Sequence, residues 1–260
     1  VWEAKGFSVL SETKQKSTKK KTDVTDAELV NTKIGSGSDH TVFLNHVGMT
    51  SVLLQFDGPY GVYHSIYDNH FWMNKFGDPG FKYHALMSQL WGVLALRLAN
   101  AEILPFDFAA YAASLRTFVQ DLDKGAGARA EVDLEPLLAR VAEFEAAGRE
   151  LNTAVRGALS RLPRPEPATL ARLDAQLLQV ERNWLYDPGI PGRPWFKHLL
   201  YSARYTYAHL ELPGLTEAVE AEKWGVAKEQ ARILEEAVAK NTALLRDTLA
   251  AISTPAIRNN

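Results

Sequence analysis

Residues 134–162 read LEPLLARVAEFEAAGRELNTAVRGALSRL. Leu137, Leu138, Val141, Phe144, Leu151 and Val155 recur at three- and four-residue steps, the signature of one apolar face on a long helix over 134–162. Pro163, Pro165 and Pro167 end that helix and start the next. The following helix is expected over 170–184, with Leu173, Leu177, Leu178 and Val180 turned to a core. Asp187-Pro188-Gly189-Ile190-Pro191-Gly192-Arg193-Pro194 cannot continue a helix and reads as a loop. A last long helix spans 224–252, and an earlier one covers 108–122, with the Gly/Ala stretch 124–130 after it. From about residue 107 onward the pattern predicts an antiparallel, all-α helical bundle. Helices 134–162, 170–184 and 226–252 carry more apolar surface than one small bundle needs. A second layer and a twofold-related copy would cover it, so a homodimer is expected.

Upstream of that bundle the texture differs. Gly35-Ser36-Gly37-Ser38-Asp39 is a flexible turn, and Ser38 or Asp39 is placed to cap a helix over 41–46. Thr50 to Phe56 has the composition of a buried strand, broken by Asp57-Gly58-Pro59 and Gly61. Val62 to Ile66 reads as a second extended piece. Asp78-Pro79-Gly80 introduces a helix over 81–100 with Leu86, Leu90, Val93, Leu94 and Leu98 at helical spacing. Residues 1–33 are divergent. Their core is a lysine run (Lys14, Lys16, Lys19, Lys20, Lys21) that cannot bury a face and reads as a solvated loop. A nucleic-acid arm is the alternative reading, but aromatic interleaving and a basic surplus are both missing. The resulting domain expectation is a partial α/β domain over 1–106 and a helical domain over 107–260.

The bulk numbers agree with a globular protein: 260 residues, 46% hydrophobic and 23% charged. A net charge of −2 gives no reason to expect nucleic acid or an anionic membrane as partner. With no cysteine, disulfides, thiolate catalysis and Cys-based zinc sites are excluded. The longest apolar region, 90–98, is interrupted by Gly92 and Arg97 and falls short of a membrane span. The chain opens on Val1 with no apolar signal core, which suggests a truncated or processed chain.

None of the seven histidines has a partner at HExxH spacing. His64 is set apart by its surroundings, in Gly61-Val62-Tyr63-His64-Ser65-Ile66-Tyr67-Asp68. A short strand ends there as a helix begins, the position over which ligands collect in open α/β sheets. A neutral imidazole there can bind zinc, with Tyr63 beside it to donate a hydrogen bond to an oxyanion. The alternative is an aromatic-rich loop packed on the next helix. Asp39, His70 and His84 are weaker candidates: Asp39 reads as a cap, and His84 as a packed residue one turn into its helix.

Several longer words carry a resemblance. Gly35-Ser36-Gly37-Ser38-Asp39, Tyr63-His64-Ser65-Ile66-Tyr67, Asp78-Pro79-Gly80-Phe81-Lys82-Tyr83-His84 and Leu104-Pro105-Phe106-Asp107 follow one another. So do Asp187-Pro188, Ile190-Pro191, Arg193-Pro194, His198 and Leu212-Pro213-Gly214. Over about residues 35–252 the chain resembles the C-terminal part of the glutamate carboxypeptidase II and transferrin receptor-like zinc exopeptidases. The resemblance implies an α/β remnant of the peptidase domain followed by the family's helical dimerisation domain. It also implies metal-dependent, carboxypeptidase-like peptide hydrolysis using two zinc ions. On that basis His64 matches a zinc ligand, and Tyr63 matches a substrate contact. Ser38 and Asp39 belong to a loop that walls the substrate pocket, and Tyr207 matches a tyrosine that grips a substrate carboxylate.

The departures bear on activity. The family's word with two glutamates, one the general base and one a zinc ligand, corresponds to Trp2-Glu3-Ala4-Lys5-Gly6-Phe7-Ser8, where Lys5 and Gly6 stand in their place. Residues that would correspond to an arginine patch are Val52, Leu53, Leu54 and Gln55, and a substrate-holding lysine corresponds to Thr206. No residue is therefore expected to be catalytic in this chain, and one matched ligand does not hold two zinc ions. Three readings follow: a degraded or truncated member that keeps the dimer-forming half, one part of an active zinc carboxypeptidase, or a non-catalytic dimeric scaffold of transferrin-receptor type. Such relatives imply a periplasmic, secreted or extracellular setting.

Overall fold

The computed structural model describes residues 33–56, 61–124, 131–160, 162, 164–205 and 207–253. The expectations for the lysine run, Lys5 and Gly6, Asp57-Gly58-Pro59, the 125–130 stretch and Thr206 lie outside the described residues. The chain divides into two compact units, one holding residues 53–99 and the other 32–52 together with 100–260.

In the smaller unit, helix α2 (His70–Trp72) runs into a π turn, Met73–Gly77, before α3 (Lys82–Ala99). Asn69 starts α2 by accepting from the Trp72 amide at 3.0 Å. Asp78 starts α3. Its carboxylate accepts from the Tyr83 and His84 amides at 3.1 and 3.0 Å, satisfying two of the donors a helix start leaves open. The periodic positions of α3 are only half-buried, and none is fully covered. Two expectations need correction here. Neither Thr50–Phe56 nor Val62–Ile66 forms a strand. The first has no ladder partner among the described residues, and the second folds into tight turns, with Ser65 N–H donating to the Val62 carbonyl at 2.9 Å. β-branched composition shows that a segment suits a pleated surface, and without a neighbouring strand that preference is not realised.

The larger unit is the expected bundle. It contains α1 (His40–Val47), α4 (Phe108–Lys124), α5 (Glu135–Ser160), α6 (Pro167–Arg182), α7 (Pro213–Glu220) and α8 (Trp224–Ser253). α5 packs between α4 and α8, and α8 also meets α6 and α7. The heptad-like residues Leu137, Val141, Phe144 and Leu151 are buried with Leu173, Leu177, Leu234, Val238 and Leu245. Each such side chain contributes about 2 kcal/mol on leaving water. At the α4–α5 crossing only glycine fits. A Cβ on Gly148 would come within 2.6 Å of the Ala109 nitrogen.

The all-α expectation for this region is corrected by a two-stranded antiparallel hairpin, β1 (Tyr201–Tyr205) and β2 (Ala208–Glu211), lying between the loop and α7. Tyr201 pairs with Glu211 and Ala203 with His209, and a register shift between Ala203 and Tyr205 leads into the turn. A buried polar core holds the start of β1. His198 Nε2 donates to Glu181 at 3.0 Å, and its Nδ1 accepts from the Leu200 and Tyr201 amides at 3.1 and 3.2 Å. Tyr111 donates to the other Glu181 oxygen at 3.3 Å and stacks on Trp184. Burial, then Glu181, push the Tyr111 phenol well above its ordinary range, so it remains a donor.

Candidate substrate-contact site and metal ligand

The Gly35–Asp39 loop is seated on the hairpin by three contacts. Gly35 has φ 99°, and a Cβ there would fall 2.7 Å from Tyr201 Cβ. Ser36, which is buried, places its Oγ 3.3 Å from His209 Nδ1. Gly37 has φ 83° and abuts the Tyr207 ring, where a Cβ would lie 2.8 Å from Cδ1. Two glycines are thus required twice over, by backbone conformation and by closeness of approach. Behind the loop, Asn45 Nδ2 donates to the Gly35 carbonyl at 3.2 Å. Gly48 ends α1 in the left-handed region, close against the Arg182 backbone at the end of α6. The loop therefore rests on the bundle rather than on its own short contacts.

This places the sequence-derived residues as follows. Ser38, Asp39 and Tyr207 share one corner of the larger unit, all three exposed. The Asp39 side chain does not cap α1, which corrects that expectation. The Ser38 carbonyl does so instead, accepting from the Thr41 amide at 3.1 Å and the Thr41 hydroxyl at 2.8 Å. His64 and Tyr63 belong to the smaller unit. Their rings stack at 3.9 Å, and His64 has φ 58°, a left-handed conformation that costs a non-glycine residue about 1 kcal/mol. A turn holds it: the Ser65 hydroxyl accepts from the Tyr67 amide at 3.2 Å, and the Asp68 amide donates to the Ser65 carbonyl at 3.0 Å.

His84 is not packed away, as the sequence suggested. Its ring is about half exposed and its Nδ1 lies 2.7 Å from Asp78. Burial pushes the Asp78 carboxyl up. The hydrogen bonds from the His84 ring and from the His84 and Tyr83 amides outweigh that and hold it below the usual carboxylate range. His70 faces Phe81 at 5.3 Å between ring centroids.

A two-metal centre needs several carboxylate and imidazole donors converging on shared ions. Among the described residues no group of three or more His, Asp or Glu side chains is placed to hold a metal. The described donor set therefore does not fit a two-zinc centre, and no chemical step is derived through one.

Sequence reasoning missed the hairpin and, with it, His209. The signal was present: Tyr201, Ala203, Tyr205 and Tyr207 alternate with polar residues, and Leu210 and Leu212 follow at the same period of two. It was masked by the helices on both sides.

Residues 132–246 match the family model for the transferrin receptor-like dimerisation domain. The chain is 34% identical over 194 residues to the "Probable glutamate carboxypeptidase LAMP1" of Arabidopsis thaliana, covering 73% of this chain and 27% of that protein. It is 36% identical over 186 residues to "Probable glutamate carboxypeptidase VP8" of Zea mays, covering 70% and 26%. It is 29% identical over 196 residues to "Aminopeptidase NAALADL1" of Rattus norvegicus, covering 71% and 26%. The chain thus spans about a quarter of the length of the curated relatives it matches. Together with the helical bundle, these matches make the chain a member of the glutamate carboxypeptidase and transferrin receptor-like family, corresponding to its C-terminal part.

Proposed function

We propose that this chain is the dimer-forming, substrate-contacting part of a metal-dependent exopeptidase of carboxypeptidase type, and that it does not turn over peptide by itself. The observation that carries this reading is the seating of the Gly35–Asp39 loop on the hairpin through Gly37 and Tyr207. Two sequence-distant elements are held in one exposed corner, as a pocket wall requires. Ser38, Asp39 and Tyr207 contact the peptide there; for Tyr63 and His64 the resemblance alone supports the roles of substrate contact and zinc ligand. Residues 1–106 are the remnant of an α/β peptidase domain. Lys5 and Gly6, standing where the family has two glutamates, support the absence of turnover.

The helical domain would pair two copies of the chain. Sedimentation equilibrium is expected to give a dimer. A monomer across the micromolar range would remove the dimerisation part of the proposal. In the alternative reading, favoured by the same Lys5 and Gly6, the dimer is a scaffold that binds a partner and no peptide. Binding of short peptides at Tyr207, read from its NMR signals, separates the two. The family's usual placement makes a periplasmic, secreted or extracellular setting part of the proposal.

A further inference from the structure

Tyr201 opens β1 and is the residue on which the glycine loop comes to rest. Its two ends are held by different parts of the bundle. At the backbone, its amide donates to His198 Nδ1 at 3.2 Å, and the Leu200 amide donates to the same nitrogen at 3.1 Å. The Leu199 amide donates to the Trp184 carbonyl at 2.9 Å, which ties the approach to β1 to the end of α6. At the far end of the side chain, the Tyr201 phenol meets that of Tyr111 on α4. His198 and Tyr111 in turn hang from the two oxygens of one buried carboxylate, Glu181. The Tyr201 ring between these ends is buried, with His198 at 5.4 Å and Phe118 at 6.1 Å between centroids. Burial, then the Glu181 charge, push the Tyr201 phenol up, so it keeps its proton and the tie to Tyr111 persists across the ordinary pH range.

The other side of Tyr201 faces the loop. A Cβ on Gly35 would fall 2.7 Å from Tyr201 Cβ and 3.2 Å from the Ser202 nitrogen, so the loop lies directly on the Tyr201–Ser202 peptide with no room to settle further. A buried side chain held at both ends keeps one rotamer, and whatever leans on its Cβ inherits that position. Further along β1, Ala203 pairs with His209, which meets Ser36 of the loop, and Tyr207 follows the strand against Gly37. Resting on the substrate-contact reading above, we propose that Tyr201 is a positioning residue for the corner formed by Ser38, Asp39 and Tyr207. It carries the placement set by Glu181, His198 and Tyr111 to a surface beneath which it is itself buried. A wall that is not fixed beforehand must be ordered when peptide binds, and ordering one such side chain weakens Kd by about two- to tenfold.

The test is Tyr201→Phe, which keeps the ring and deletes the tie to Tyr111. NMR signals of residues 35–39 and Tyr207 are compared with those of the unsubstituted chain, and Kd is measured for N-acetylated dialanine. Val141→Ala, a change in the buried face of α5, is the control for a loss of stability alone. The proposal expects Tyr201→Phe to move the signals of residues 35–39 and Tyr207 and to weaken the dipeptide about two- to tenfold, with the helical circular dichroism unchanged. Val141→Ala should lower Tm without moving those signals. Tyr111→Phe removes the other phenol from α4, should move the same signals, and carries the test if Tyr201→Phe fails to fold. Corner signals unmoved by both phenol variants, or moved as far by Val141→Ala, would overturn the proposal and leave the substrate-contact site standing. If the dipeptide shifts neither residues 37–39 nor Tyr207 in the unsubstituted chain, the substrate-contact reading falls by itself, and the signals of the phenol variants still decide whether Tyr201 places the corner.

Discussion

Replacing His198 with alanine should unfold the larger unit early. His198 is fully buried, and its partner Glu181 is 7% exposed. The ring performs three tasks at once: it donates to Glu181 at 3.0 Å and accepts from the Leu200 and Tyr201 amides at 3.1 and 3.2 Å. Alanine leaves the carboxylate with one remaining side-chain donor, Tyr111, at 3.3 Å. Breaking a buried pair by removing one member costs about 3–5 kcal/mol, because the surviving charge stays out of water. The two orphaned amides add to this only if they cannot reach solvent. For a unit of this size each kcal/mol lowers Tm by about 2–4 °C, so a loss of about 10 °C is expected. Glu181→Gln is the control. It keeps one acceptor oxygen for His198 and turns its NH2 to the Tyr111 hydroxyl, which can rotate and accept, while removing the charge, and should cost under about 1.5 kcal/mol. Urea unfolding followed by circular dichroism and by Trp184 fluorescence measures both. A His198→Ala loss below about 1 kcal/mol, or a Glu181→Gln loss as large as that of His198→Ala, would refute the reasoning.

Asp78→Ala should loosen the start of α3 by about 1–2 kcal/mol, seen as faster amide exchange at Tyr83 and His84, since both amides lose their acceptor. The carboxyl is held below its ordinary value of 3.8. Its contribution is therefore complete above that pH and is lost as pH falls through the folded value, so the unsubstituted chain should show the same loosening only in strong acid. Gly148→Ala should cost about 1–3 kcal/mol in the same urea assay, because the added methyl meets the backbone of Ala109 and Phe108 rather than a movable side chain. Gly37→Ala should leave global stability within about 1 kcal/mol while displacing the Tyr207 ring, read as a change in its NMR shifts, because the clash falls on the side chain at an exposed corner.

The long helices were legible because their periodicity reports a face, and a face buried against neighbours is what folding rewards. Leu137, Val141, Phe144 and Leu151 did become core. The hairpin was illegible for the opposite reason. Its two strands are five and four residues long, and what holds them is Glu181–His198, a contact 17 residues apart in sequence that no local pattern announces. Thr50 to Phe56 shows the limit of propensity, since strand composition without a pairing neighbour gives no strand. At the candidate site, Ser38, Asp39 and Tyr207 came from resemblance alone. What joins them is the pair of close approaches at Gly35 and Gly37, and these become visible only once the fold brings the hairpin to the loop.

The proposed division of labour, with substrate contacts and the dimer interface in this chain and no complete metal centre, is tested most directly by elemental analysis for zinc in the purified dimer, compared with His64→Ala. The proposal predicts well under one zinc per chain, with little change in the variant. About two zinc ions per chain, lost in His64→Ala, would contradict it and mean that the missing ligands lie within this chain.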